Sequence, residues 1–149
     1  MFDAATTIAR EPHWYVEGKV ADTLDGRFAM LATIVALILV RLERAGEGGN
    51  AVSVALTERF IAVMEAEHRE LGLGDPTLGK TVRKLVGALG RRTELWRRAT
   101  AAGDWARAAR DSLNIAHAAA LDHDSAALKQ LWSRLGQSSV AELEQGSIR

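Results

Sequence analysis

An all-α fold is what this chain of 149 residues predicts: a single-domain bundle of about five to seven helices around a largely apolar central helix. Three observations carry that expectation. Alanine and leucine are abundant while proline occurs only at Pro12 and Pro76, so long stretches are free of helix breakers. Period-two alternation of β-branched residues is scarce, and no segment reads as a strand. Residues 28–40 form an apolar run with one polar member, Thr33, bracketed by Arg27 and Arg41. At about 1.5 Å per residue the run covers roughly 20 Å, against roughly 30 Å of bilayer hydrocarbon. Too short to span and apolar all round, it belongs in the centre of a bundle; the alternative reading is that part of it is covered by a partner or an apolar client.

The elements follow in order. Residues 1–11 are expected as a short N-terminal segment with freedom to move, packed onto the domain by Trp14 and Tyr15 after Pro12. The first long helix begins with Asp22 or Thr23 as its cap and runs to about Ala45, ending at Gly46 and a loop of Gly48, Gly49 and Asn50. Its apolar residues make two seams: Phe28, Leu31, Val35, Ile38 and Leu42, and beside them Met30, Ile34 and Leu37. A second helix runs from about Ala51 to Leu71. The third starts after Asp75 and extends to about Ala101, with Val82, Leu85, Val86, Leu89 and Trp96 as its apolar stripe. Gly87 and Gly90 cost that helix about 1 kcal/mol each relative to alanine, which points to a kink or a close helix crossing. Further helices are expected over residues 104–121, 125–135 and 138–144, followed by a frayed tail at 145–149.

With 48% hydrophobic residues the chain has material for one real core, and its length gives no reason to invoke a second domain. Cysteine is absent, which excludes disulfides, thiolate metal sites and thiol nucleophiles. Nineteen basic residues balance nineteen acidic ones, arguing against a nucleic-acid binder held by bulk charge, so no DNA partner is expected. The N-terminus lacks a basic region followed by an apolar stretch, so no secretory signal is read there and a cytoplasmic location is expected.

The stretch Gly74-Asp75-Pro76-Thr77-Leu78-Gly79-Lys80-Thr81 fits the G-x-x-x-x-G-K-[ST] pattern of a phosphate-binding loop. Such a loop needs a buried strand ending at its first glycine. The residues before Gly74 instead place Phe60, Val63, Met64 and Leu71 at helical spacing. Asp75 sets a negative charge beside the would-be phosphate, and Pro76 removes an N–H donor. A helix–loop–helix joint accounts for the same residues: Gly72 and Gly74 end one helix, Asp75 caps the next and Pro76 fills its first turn.

Charge is concentrated just beyond. Lys80, Arg83, Lys84, Arg91, Arg92, Arg97 and Arg98 stand against a single acid, Glu94, between residues 80 and 98. At about 100° per residue, Lys80, Lys84, Arg91 and Arg98 fall on one side, opposite much of the apolar stripe. A solvated outer face would satisfy this pattern, but such a face commonly interleaves glutamates for i,i+4 pairing. The sign bias favours a partner: ribosomal RNA, anionic lipid headgroups or an acidic protein surface.

No constellation reads as catalytic, cofactor-binding or metal-ligating. Glu65 and His68 have the E-x-x-H spacing of di-iron bundles, where two such pairs converge, but only one copy is present. His117 and His123 are not spaced for a shared metal on one helix, and Asp122-His123-Asp124 reads as a capped turn. Neither Ser112 nor Ser125 sits on a turn that would present a nucleophile.

The run Asp22-Thr23-Leu24-Asp25-Gly26-Arg27-Phe28, followed by an apolar helix and then by His68-Arg69-Glu70-Leu71-Gly72-Leu73-Gly74-Asp75 with Lys80, Val82 and Lys84, resembles the ubiquinol–cytochrome c chaperone family. The resemblance covers Trp14 to about Trp96 and is to the shorter bacterial members. It implies an all-helical, non-enzymatic protein without cofactor that holds newly made cytochrome b, or another complex III subunit, near the ribosome and at the inner face of the membrane. Carried over residue by residue, it implies that Asp22, Asp25, Gly26 and Arg27 order the start of the apolar helix with a charge pair. Arg69, Glu70, Gly72, Gly74 and Asp75 would form a polar joint, and Lys80, Arg83, Lys84, Arg91 and Arg98 a partner-binding ridge. The usual pattern carries an aromatic residue where this chain has Leu89 before Gly90. Two other functions stay open from the residues alone: a general ribosome- or RNA-binding module, and a nucleotide-binding protein.

Overall fold

The structure, a computed structural model, describes residues 1–72 and 74–149, with Asp75 described by its backbone only. Helix α1 (Phe2–Ala9) leads through a 3-10 turn (Pro12–Trp14) to α2 (Leu24–Arg44), α3 (Glu47–Glu70), α4 (Asp75–Ala102), α5 (Trp105–Leu113), α6 (Ala118–Gln137) and α7 (Val140–Glu144). Among the described residues there is no strand.

Helix α2 is the axis around which the others pack. Thr23 caps it by accepting a hydrogen bond from the Gly26 N–H at 3.1 Å, and Asp25 adds negative charge to the first turn. Every residue from Ala32 to Val40 is buried, and α1, α3, α4, α5 and α6 all touch the helix. Its two seams therefore differ only at one end. Phe28 and Leu31 stay half-buried, whereas Met30, Ile34, Leu37 and Ile38 have no accessible surface.

The single polar residue of the run is satisfied by a chain of donors. Trp96 Nε1 donates to Ser112 Oγ at 3.0 Å, and Thr33 Oγ1 lies 2.6 Å from the same hydroxyl and 2.7 Å from the Ala29 carbonyl. The Thr33 proton goes to that carbonyl, so Ser112 donates to Thr33 and the indole fills the Ser112 lone pair. These hydrogen bonds join three helices, α2, α4 and α5, in the core.

Several elements differ from the sequence reading. Residues 2–9 form a helix, α1, with Phe2, Ala5 and Ala9 in the core. The expected tie is present, since Trp14 Nε1 donates to the Ile8 carbonyl at 2.9 Å and the Tyr15 hydroxyl to the Ala9 carbonyl at 2.8 Å. The tail is anchored too, with the Arg149 N–H donating to Ser138 Oγ at 2.9 Å and Ile148 packed on the core. Helix α3 begins at Glu47, four residues before the expected start, because Gly46 at φ 66° makes the whole turn by itself. Gly48, Gly49 and Asn50 are thus helical, and Gly49 lets α3 press against α2, where a Cβ would come within 2.2 Å of the Leu42 carbonyl oxygen.

The helix expected over 104–121 is two helices. Asn114 turns left-handed at φ 56° and ends α5, and His117 starts α6 by accepting from the Ala120 N–H at 3.2 Å. Asp122, His123 and Asp124 consequently lie inside α6 rather than in a capped turn. Helix α7 opens on a capping box between Ser139 and Glu142.

Helix α4 runs unbroken from Asp75 to Ala102 and stops at Gly103, φ 78°. No close crossing occurs at Gly87 or Gly90. A Cβ at Gly90 would meet nothing within 4 Å, and one at Gly87 only the guanidinium of Arg91. Gly90→Ala is therefore expected to raise stability by about 0.5–1 kcal/mol through helix propensity alone. Urea unfolding that shows a loss would mean Gly90 serves a constraint absent from the folded monomer.

Candidate functional site

Phe60 on α3 meets Phe28 one turn into α2, with ring centroids 6.0 Å apart. The last turns of α3 and the first turns of α4 therefore project past the start of α2 as a helical hairpin. Leu78 and Val82 are buried yet stand apart from the continuous core, as expected for residues packed within the hairpin itself. The outer side of α4 carries the basic residues.

Lys80, Arg83, Lys84 and Arg91 are exposed, and none forms an ion pair among the described residues. The other three basic residues of the helix are engaged. Arg97 grips Glu43 of α2 through two bonds, Nη2 to Oε1 at 2.6 Å and Nε to Oε2 at 2.9 Å, and also bonds Glu94. Those contacts push the Arg97 guanidinium well above its ordinary value and hold the Glu43 carboxyl below the usual carboxylate range. Arg98, though exposed, donates to Glu94 at 2.9 Å. Arg92 turns inward, donating to the Ser112 carbonyl at 3.1 Å with its guanidinium 5.9 Å from the Phe28 ring centroid. Desolvation, then the charge of Arg91, lowers its basicity. The face thus divides into four cations without an ion pair among the described residues and a segment, Arg92 to Arg98, whose cations are engaged.

The other expected positions fall as follows. Arg27 Nε donates to Asp22 Oδ1 at 2.8 Å, an exposed pair beside the start of α2. Gly26 is buried against Ala21, whose carbonyl oxygen would lie 1.8 Å from a Cβ. Asp25 is exposed in the first turn. Arg69 and Glu70 are exposed at the end of α3 and make no ion pair among the described residues. Gly72 turns at φ 85° and Gly74 takes the cap position of α4. Asp75 opens the helix, one residue past the cap the sequence assigned to it, and its side chain lies outside the described residues. Leu89, where the resemblance departs from the usual aromatic, is buried at 3% exposure and faces the core rather than a partner.

The phosphate-loop match has a helix, α3, before it and its own residues from Asp75 onward inside α4, so no strand–loop–helix exists to cradle phosphate. Glu65 and His68 do not gather further ligands; among the described residues no three metal-ligating side chains converge. His68 Nδ1 sits 2.7 Å from the Met64 carbonyl of its own helix. Ser112 belongs to the buried donor chain, and Ser125 Oγ donates to the Leu121 carbonyl at 2.8 Å. Among the described residues no helix is long and apolar enough to cross a membrane.

Sequence reasoning missed two features. One is the meeting of His13 and His123, 2.9 Å apart. The other is Asp124, fully buried on α6. An acid amid Ala120, Leu121, Ala127 and Leu128 was the available signal, since position 124 lies four residues from both Ala120 and Leu128 on one face.

The fold is an all-helical bundle, and the outer side of α4 is cationic. The chain belongs to the ubiquinol–cytochrome c chaperone family, whose model matches residues 16–133. That match extends well past Trp96, where the sequence motifs ended. A crystal structure of a Cbp3 homolog from Brucella abortus is similar at a TM-score of 0.82 and 25% identity, over 99% of this chain and 86% of that one. No curated protein matches the chain.

Proposed function

We propose that this protein is a non-enzymatic assembly chaperone for complex III that holds newly made cytochrome b, docking through the cationic side of α4. The observation that carries the reading is the group of four exposed cations, Lys80, Arg83, Lys84 and Arg91, without an ion pair among the described residues, on a member of this family. Surface cations without acidic neighbours leave their field available to an acidic partner and raise the encounter rate. On this reading the protein works on the cytoplasmic side of the membrane, near the ribosome that delivers the client.

The triple variant Lys80→Glu, Lys84→Glu, Arg91→Glu is expected to lower cytochrome b and complex III several-fold in host membranes, with the melting temperature of the purified protein unchanged. All three positions are exposed, so folding has no stake in their charge. Normal cytochrome b in cells holding the folded variant sinks the docking role of α4. The same cations support a second reading, a general ribosome-binding module. It requires sedimentation with ribosomes that translate no cytochrome b, lost steeply as salt rises.

A further inference from the structure

Asp124 is the only ionisable side chain fully buried among the described residues, and neither of its carboxyl oxygens has a hydrogen-bond partner. It faces the turn that follows α1. A Cβ on Gly18 would stand 2.1 Å from Asp124 Oδ1 and 2.5 Å from the Trp14 carbonyl oxygen, so only glycine permits the approach. No N–H of the turn donates to the carboxyl. The Gly18 N–H already donates to the His13 carbonyl at 2.8 Å, and the Val20 N–H to that of Trp14 at 3.0 Å. Beside the same glycine lies the Trp14 carbonyl oxygen, an acceptor that favours a protonated carboxyl over an ionised one.

The same two elements meet again beside this contact. His13 Nδ1 and His123 Nε2 share a hydrogen bond that needs one of the two rings neutral, and His13 Nε2 lies 3.4 Å from Glu11. Behind the turn, the bonds from Trp14 to Ile8 and from Tyr15 to Ala9 fasten α1 to it, so residues 1–20 form one mechanical piece. That piece seats Phe2, Ala5, Ala9, Trp14 and Val20 in the core, with α1 lying against α2 and α3.

We propose that residues 1–20 are a proton-operated latch: a protonated Asp124 holds them on α6, and an ionised Asp124 releases them and bares the apolar surface of α2 beneath α1. Among the described residues no charged group bonds the carboxyl. Glu17 and Lys19 flank Gly18, and Asp122 and His123 precede Asp124 on α6. The charged residues of α5, Arg107, Arg110 and Asp111, are exposed, and α2 contributes only Thr33 to an otherwise apolar stretch. Desolvation alone raises the Asp124 carboxyl to about 7.

The direction of the effect follows. The seated state keeps a proton that the released, hydrated state gives up from about pH 4 upward. Release therefore grows with pH between the ordinary carboxyl range and about 7, by up to about tenfold per pH unit, and levels off above. Resting on the chaperone reading, the bared surface would receive an apolar client segment.

Hydrogen exchange by mass spectrometry on the isolated protein, between about pH 5 and about pH 8 and corrected for intrinsic exchange, tests the latch. In the native protein, exchange of residues 1–20 should climb toward tenfold per unit up to about pH 7. In Asp124→Asn it should lose that slope; should the asparagine variant fail to fold, Asp124→Ala serves as the second non-ionisable replacement. An equal slope with and without the acid overturns the latch, as does a rise shared equally by α2 and α4, which would be global unfolding. The readout needs no client, so failure to bind cytochrome b and failure of the latch are separate outcomes.

Discussion

Leu37→Ala is expected to cost about 2–5 kcal/mol, a large share of the roughly 5–15 kcal/mol that holds a domain of ordinary stability together. Leu37 has no accessible surface and sits in the stretch of α2 that is buried from Ala32 to Val40. With neighbours on every side, the surround has little room to collapse into the space left by the removed methyl groups. Val35→Asp in the same stretch should abolish folding, because a carboxylate there has neither water nor a partner. Leu31→Ala is the internal comparison: Leu31 is half-buried, so its loss should be distinctly smaller. Equilibrium urea unfolding followed by helical circular dichroism measures all three. If Leu37→Ala costs no more than Leu31→Ala, α2 is not closed on all sides in solution.

Gly26→Ala should be the most damaging single-methyl addition outside the core, at about 1–3 kcal/mol. Alanine ordinarily favours a helix over glycine, and here that preference is overridden by geometry. The new Cβ would stand 1.8 Å from the Ala21 carbonyl oxygen and 2.7 Å from its carbon, both backbone atoms that cannot rotate away. The chain before α2 would have to move, taking with it the Thr23 cap and the Asp22–Arg27 pair. Gly90→Ala provides the contrast, the same chemistry at an open position. A thermal melt that ranks the two variants equally would show that the approach of Ala21 to α2 is not maintained in solution.

The long, strongly patterned parts of the fold were legible in the residues. The apolar run of α2 and the Thr23 cap specify that helix and its central place, and the stripe from Val82 to Trp96 specifies α4. Boundaries decided by single backbone conformations were not. Gly46 makes a turn that the neighbouring glycines seemed to need, and Asn114 interrupts a stretch of good helix formers, because left-handed residues override local propensity. In the candidate site, the sequence pointed to a one-sided cationic helix but could not show which cations are engaged. Arg97 reaches Glu43 from 54 positions away, and no periodicity within α4 announces such a partner. Asp124 was hidden for the same reason, since its burial is created by Gly18 and Trp14 at the other end of the chain.

The position of α2 at the centre also fixes when this protein can become itself during synthesis. Its covering contacts are made with residues far downstream: Thr33 meets Ser112 across 79 positions, and Arg41 reaches the Ser138 carbonyl across 97. An emerging chain that ends after α3 carries its most apolar helix with α1 and α3 for company and no α4, α5 or α6 to close the remaining sides. Such long-range closure is slow relative to local helix formation. A chain of this family thus carries a segment that must itself wait until α4, α5 and α6 have been made.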